Sequence, residues 1–312
     1  MRRRFLNSAK GIDKDNYLTI EALEDGLTAS LSANACEYCV NNDGNWKSLA
    51  AGTNTVSINT GQTLSFRGNI TVTTNMGVGR FSVSKKFNLK GNCGSLVFGD
   101  NAADKTSLSL TANTFYRLFY NCANLISVSD DFLPFTTLSQ GCYEEMFDYC
   151  TSLIKAPKLP ATQLAKSCYY GMFYACFALT DAPELPATTL AGNCYKYMFY
   201  NCVKLSNVPS ILPATTLESG CYEKMFNNCQ AMTTAPVLPA TTLVSYCYNG
   251  MFSGCSKLRN ITALFTTTPS TYYTSGWVSG VSASGTFYKS SSASWNVTGD
   301  NGIPSGWTVR TV

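Results

Sequence analysis

Histidine is absent from all 312 residues of this chain, and that absence excludes more chemistry than any residue present suggests. Without it there is no Ser-His-Asp or Cys-His nucleophile pair, no His-Glu-x-x-His zinc site and no imidazole general base. Charge is also scarce. Asp, Glu, Lys and Arg make up 13% of the chain, about half the usual quarter, so Ser, Thr, Asn and Gly must supply the surface. The net charge of +4 forms no basic stripe, and the one cluster, Arg2-Arg3-Arg4, reads as a solvated start rather than a nucleic-acid contact. No apolar run approaches the roughly 20 residues needed to span a bilayer. Behind the basic start there is no apolar segment, because Gly11-Ile12-Asp13-Lys14-Asp15-Asn16 is too polar. A Sec signal peptide is therefore not expected.

Other familiar sites are missing as well. Gly77-Val78-Gly79 has neither the third glycine nor the following helix of a phosphate loop. Asp13-Lys14-Asp15-Asn16 starts like a calcium loop but has no glycine at its sixth position. Cys36-Glu37-Tyr38-Cys39 is a Cys-x-x-Cys, yet only Cys93 stands outside the repeats as a third ligand, short of the four that structural zinc takes. Carboxylate-only chemistry, as in glycoside hydrolysis, needs two opposed acids; the adjacent Glu144 and Glu145 read as a solvated face. No enzyme activity, catalytic residue, metal or cofactor is expected.

What the chain does contain is one phrase written repeatedly. Five copies open on Cys-Tyr and close eight residues later on a second cysteine: Cys142/Cys150, Cys168/Cys176, Cys194/Cys202, Cys221/Cys229 and Cys247/Cys255. Their spacings are 26, 26, 27 and 26 residues. A degenerate copy places Thr114 and Cys122 in the same two slots. A fixed period in the range of about 20–50 residues marks units that cannot bury their apolar faces alone and stack to do so. Within Cys142–Cys150 the apolar residues at i, i+4 and i+8 predict a short helix with Glu144, Glu145 and Asp148 outward. A short extended piece follows (Ile154-Lys155-Ala156-Pro157), then Leu-Pro-Ala-Thr-Thr-Leu or a variant, intact at Leu185–Leu190, Leu212–Leu217 and Leu238–Leu243. Proline cannot donate to a strand ladder, so each one punctuates a short strand. The fourteen cysteines read as small buried hydrophobes in an internal ladder, since two cysteines two helical turns apart lie about 12 Å from each other, beyond disulfide reach.

Met-Phe-x-x-Cys-x-x-Leu followed by a short strand and Pro resembles the BspA-like leucine-rich repeats of bacterial surface proteins. The Cys-Tyr-x-x-Met-Phe-x-x-Cys form with Leu-Pro-Ala-Thr-Thr-Leu is similar to a variant of gut Bacteroidales and their phages. The likeness covers Leu110 to Phe265 and extends less closely to Leu18–Leu23 and Gly302–Trp307. It implies adhesins or surface-exposed binders and carries over no catalytic residue.

Outside the repeats the period changes. Tyr17–Leu23 and Leu27–Leu31 flank Glu24-Asp25-Gly26, and Cys36–Val40 and Trp46–Leu49 flank Asn41-Asn42-Asp43-Gly44; both read as hairpins. Alternating segments at Val56–Asn59, Thr63–Arg67, Ile70–Thr73, Arg80–Ser84 and Phe87–Leu89 complete the pattern of a small β-sandwich. Beyond Phe265, Thr286–Tyr288 and Trp295–Val297 are strand candidates, and Trp277, Trp295 and Trp307 suit a cover for the last repeat. The expected fold is a mixed α/β leucine-rich solenoid of about six coils, preceded by a small β-sandwich and closed by a C-terminal cap. Its boundaries are an N-terminal arm at 1–16, the sandwich at 17–99, the solenoid at 100–265 and the cap at 266–312.

The function that follows from the resemblance is non-enzymatic binding or adhesion, as a phage virion component contacting the host surface. A purely structural decoration or fibre protein, or a bacterial cell-surface adhesin, stays open beside it. The partners are a host-surface protein or glycan, and other virion proteins through the N-terminal part, with no nucleic acid and no membrane insertion; a homo-oligomer is compatible. Lys155, Lys158, Asp181, Glu184, Ser206 and Arg259 are the candidate binding positions, on the sheet side or its margin. They share no chemistry from repeat to repeat.

Overall fold

Strand β1 (Leu18–Ala22) is apolar at every second residue, and Leu18, Ile20 and Ala22 are fully buried. Its intervening Thr19 is buried too, with its hydroxyl against the Ser65 hydroxyl at 2.8 Å. A strand buried on both faces belongs at the centre of a sheet, and β1 pairs antiparallel with β5 (Thr63–Arg67) on one side and β7 (Phe87–Lys90) on the other. The computed structural model describes residues 16–73, 76–108 and 110–312; Arg2-Arg3-Arg4 and Asp13-Lys14-Asp15 lie outside the described residues.

The remaining strands of this region are β2 (Ala29–Leu31), β3 (Cys36–Val40), β4 (Lys47–Leu49) and β6 (Phe81–Val83), with β8 (Leu125–Val128) supplied by the first repeat. Six form one sheet in the order β4-β3-β5-β1-β7-β8, and β2 pairs with β6 apart from it. The hairpin expected around Asn41–Gly44 is present, with Cys36 opposite Leu49. The one expected around Gly26 is not. Asp25 accepts hydrogen bonds from the backbone and hydroxyl of Thr60, both at 2.9 Å, and Leu27 bridges to Ile58. The turn is thereby tied to the approach to β5, and β1 and β2 part company.

The repeats correct the expected architecture. Among the described residues, alpha-helix is confined to α1 (Ser95–Phe98) and α2 (Thr271–Thr274), both outside the repeat phrases, and no strand forms between β8 and β9 (Asn260–Ala263). The three sheets do not build a continuous wall along the repeats. A mixed α/β leucine-rich solenoid is therefore overturned, and where a small β-sandwich was expected before it there is one six-stranded sheet, completed by β8 of the first repeat, with the β2–β6 pair apart from it.

The reason lies in where the backbone hydrogen bonds go. A helix pairs each N–H with the carbonyl four residues back. Here Glu144, Met146, Asp148 and Cys150 donate to the carbonyls three residues back, at 3.1–3.2 Å, closing successive β-turns. The residues between them, Tyr143, Glu145, Phe147 and Tyr149, donate instead to Cys168, Tyr170, Met172 and Tyr174 of the next repeat, at 2.8–3.0 Å. Every buried amide in the segment has a partner, as burial demands, but only half of those partners are local. The scheme needs a left-handed residue at every fourth position: Gly141, Glu145 and Tyr149 have φ of 59°, 53° and 57°. Gly or Asn fills many of these slots, as at Gly171, Asn193, Asn201 and Gly250, and both tolerate that region.

A strict four-residue turn sends two residues inward and two outward. Tyr143, Tyr169, Tyr195, Tyr222 and Tyr248 form one buried column with ring centroids 5.7–5.9 Å apart. Phe119, Phe147, Phe173, Phe199, Phe226 and Phe252 form a second, at 5.5–6.0 Å. Both ends of the columns are covered. Phe81 of β6 stacks on Phe119 at 5.2 Å. Trp277 packs against Tyr248 and Phe252, while β9 pairs in parallel with β10 (Thr286–Lys289), and β10 with β11 (Thr308–Thr311). The final segment is thus joined to the last repeat through a shared sheet. Trp295–Val297 is not a strand; Trp295 is held by its indole N–H to the Phe265 carbonyl at 3.0 Å.

Candidate functional site

Four of the six residues singled out from the sequence come together. Lys155, Lys158, Asp181 and Glu184 rim a groove of 580 Å³ whose floor is apolar and rich in proline, with Pro157, Pro160, Pro183 and Pro186. Each proline lies in the piece that links one run of turns to the next, which is why the groove is nearly free of backbone donors. Three of the four charges on its rim are already committed. Lys155 and Lys158 both bridge to Asp130, at 3.0 and 3.1 Å, and these contacts hold the Asp130 carboxyl below its ordinary range. Asp181 accepts from the Thr180 hydroxyl and from the Asn207 amide, and these bonds lower it as well. Ser206 lies beside this groove, its N–H bonded to Thr180, but does not line it. Arg259 stands at the far end of the repeats, its carbonyl accepting from Thr286. Ion pairs as exposed as these contribute little.

The opposite kind of surface lies on the run of turns. Side chains at the left-handed positions and their neighbours project outward, and four of the repeats place tyrosines there. Tyr149, Tyr170, Tyr174, Tyr197 and Tyr200 line a second groove of 410 Å³ together with Glu145, Asp148, Gly171 and Lys224. Tyr174 and Tyr200 stack at 4.7 Å, Tyr149 leans on Tyr174 at 5.8 Å, and Tyr197 stands edge-on to Tyr170 and Tyr200, each at 5.6 Å. Because the rings lean on one another, they present edges and hydroxyls to the groove more than open faces.

Two departures from the repeat shape this groove. One outward column reads Arg117, Glu145, Gly171, Tyr197, Lys224. Gly171 is its gap, in a left-handed conformation (φ 56°) where an added Cβ would meet the Glu145 Cγ at 3.2 Å. The column three residues on reads Tyr120, Asp148, Tyr174, Tyr200, so an aspartate sits where the neighbouring repeats carry tyrosine. Asp148 is 7% exposed, and its Oδ1 is buried without a hydrogen-bond partner. Burial, and then the nearby Glu145, push its carboxyl up to about 7. Glu144 also rises to about 7, for the same reasons in the same order. Glu145 itself is paired with Arg117, whose guanidinium lies over the rings of Tyr116 and Tyr120. Lys224 Nζ sits over Tyr197, 5.4 Å from the ring centre. The carboxylates taken from the sequence as a solvated face are therefore half-buried or, at Asp148, buried.

This surface escaped the reading of the sequence because helical spacing scatters these tyrosines around a cylinder. Counting in fours aligns them. The groove is a hydrogen-bonding surface with an aromatic frame and a buried acid at its floor. No family model matches the chain, and no curated protein matches it. Among the described residues, no helix is long and apolar enough to cross a membrane.

Proposed function

We propose that the chain is a non-enzymatic binding protein displayed on a surface, a virion component that contacts its host. The observation that carries this reading is the tyrosine-lined groove, which runs across successive repeats and draws its walls from at least three of them. Tyrosine supplies large contact area with little rotamer entropy to lose, and its hydroxyl adds hydrogen bonding. The likeness of the repeat phrase to BspA-like surface proteins supports the same class of role at the level of the motif. So does a surface with few charges, where the long side chains that resist close approach are rare. In this proposal the N-terminal sheet faces the rest of the particle and the repeats face outward toward a host protein or glycan.

The experiment is direct. The full chain, labelled with a fluorophore, should bind cells of a susceptible gut Bacteroidales host in flow cytometry, and a Tyr174→Ala, Tyr200→Ala double variant that keeps its melting transition should bind much less. Equal staining by the variant, or staining no greater than that of an unrelated protein, would contradict the proposal.

A further inference from the structure

We infer that the tyrosine groove is a saccharide subsite, in which the Asp148 carboxylate accepts hydrogen bonds from the hydroxyls of a neutral sugar. The inference rests on the binding role proposed above and names the ligand class for it. Three features on different residues point the same way.

The first is the unpartnered acceptor. A buried carboxylate oxygen without a donor is costly, and such a group calls for an explanation. Asp148 lies at the floor of a groove open to solvent, in a column whose other members are Tyr120, Tyr174 and Tyr200. The aspartate interrupts that run of tyrosines and leaves an acceptor below the groove. A sugar hydroxyl supplies the missing donor without bringing a second charge into a partly desolvated place.

The second is space. Gly171 carries no side chain in the outward column between Glu145 and Tyr197, and it lines the groove of 410 Å³ where a tyrosine or lysine would otherwise project. Ligand pockets begin at about 300 Å³, so the volume suits one or two sugar rings rather than a folded partner. The third is the frame. Tyrosine edges and hydroxyls, with Lys224 at one end, offer donors and acceptors in alternation, matching a ligand that carries both on every carbon. Glu145 and Asp148 together weigh against an anionic sugar.

The test uses the full chain on an immobilised array of neutral, sialylated and sulfated oligosaccharides. Wild type should be retained by neutral glycans and not by the anionic sets. Asp148→Asn removes the charge at nearly constant shape, and Tyr174→Phe removes one hydroxyl while keeping the stack. Each should weaken the retained glycans by about tenfold, the worth of a hydrogen bond to a charged or well-placed group, while still unfolding in one cooperative transition no lower in temperature than wild type. Absence of any neutral-glycan signal, selective retention of anionic glycans, or equal retention of both variants would overturn the inference. Host-cell staining that survives enzymatic removal of neutral glycans would overturn it too, while leaving the binding role intact. Loss of cell staining by the wild type would sink both.

Discussion

Cys176 Sγ lies 3.2 Å from the carbonyl oxygen of Phe147 in the preceding repeat, and donates to it. The same contact recurs from Cys150 to Phe119, Cys202 to Phe173, Cys229 to Phe199 and Cys255 to Phe226, at 3.0–3.2 Å. Each of these Phe carbonyls also accepts the turn bond from the N–H three residues on, as Phe147 does from Cys150. The second cysteine of the phrase is thus a small apolar group that gives a weak donor to an oxygen already in use, which neither Ala nor Val could do.

Thiol chemistry follows from that placement. All fourteen cysteines are free and buried, and burial pushes the Cys255 thiol up to about 12 and drives Cys176 and Cys229 well above their ordinary value. Since the thiolate is the reactive form, the native protein should react with almost no thiol reagent at neutral pH, and the denatured protein should titrate all fourteen. Rapid labelling of several native cysteines, or disulfides in fresh material, would contradict this.

Removing one ring of the inner column should be expensive. Phe199 is fully buried between Phe173 at 5.5 Å and Phe226 at 5.6 Å, nearly parallel to both. Phe199→Ala should cost about 3–5 kcal/mol in denaturant unfolding, with Phe199→Leu costing clearly less. Tyr195 is no more tolerant a position, because it is as buried as Phe199. A near-neutral Phe199→Ala would mean that the column does not exist.

Asp148 gives the protein a pH dependence of definite sign. Its folded carboxyl titrates at about 7, well above the roughly 3.9 of an unfolded aspartate. The folded state therefore holds a proton that the unfolded state has lost, and its stabilising contribution is complete below about 3.9 and disappears as pH rises through 7. Melting temperature should fall between pH 5 and pH 8, and Asp148→Asn should flatten that slope and raise the melting temperature at pH 8. An Asp148→Asn profile parallel to wild type would place the effect elsewhere, at Glu144 for instance.

The repeats do not stand free of the N-terminal sheet. Phe81 stacks on Phe119, β7 pairs with β8, and Cys122 Sγ reaches the Phe81 carbonyl. A chain cut after Gly99 should bare the Phe119 end of the column. It should bind a hydrophobic dye and lose its sharp unfolding transition, where fully independent repeats would keep it.

Much of this was legible in the sequence, and the part that was not has a physical cause. The 26-residue period, the inward Cys, Met and Phe positions, and the β3–β4 hairpin over Asn41–Gly44 could all be read directly, whereas the inward tyrosine column could not. Helix was the wrong local conformation. Cys142, Met146 and Cys150 fit a spacing of four as well as one of 3.6, and over nine residues the two differ by only about 40° per step. The distinguishing signal was Gly or Asn recurring in many of the fourth positions, Gly141, Gly171 and Asn193 among them, since neither favours a helix interior. Lys155, Lys158, Asp181 and Glu184 could be named from their place beside the prolines, but the groove they rim joins two successive repeats and was not read from the sequence. Nor was the tyrosine groove, because Asp148, Gly171 and Tyr197 meet only once the turns are stacked in fours.

The left-handed turns create that groove, so the most direct test is to observe their hydrogen bonds. Scalar couplings across hydrogen bonds in isotopically labelled protein should connect the Tyr195 amide nitrogen to the Cys221 carbonyl carbon, and Phe199 to Met225, matching N···O separations of 3.0 and 2.9 Å. Couplings from Tyr195 to Ala191 and from Phe199 to Tyr195, the pattern of an α-helix, would contradict the turn ladder and remove the groove with it.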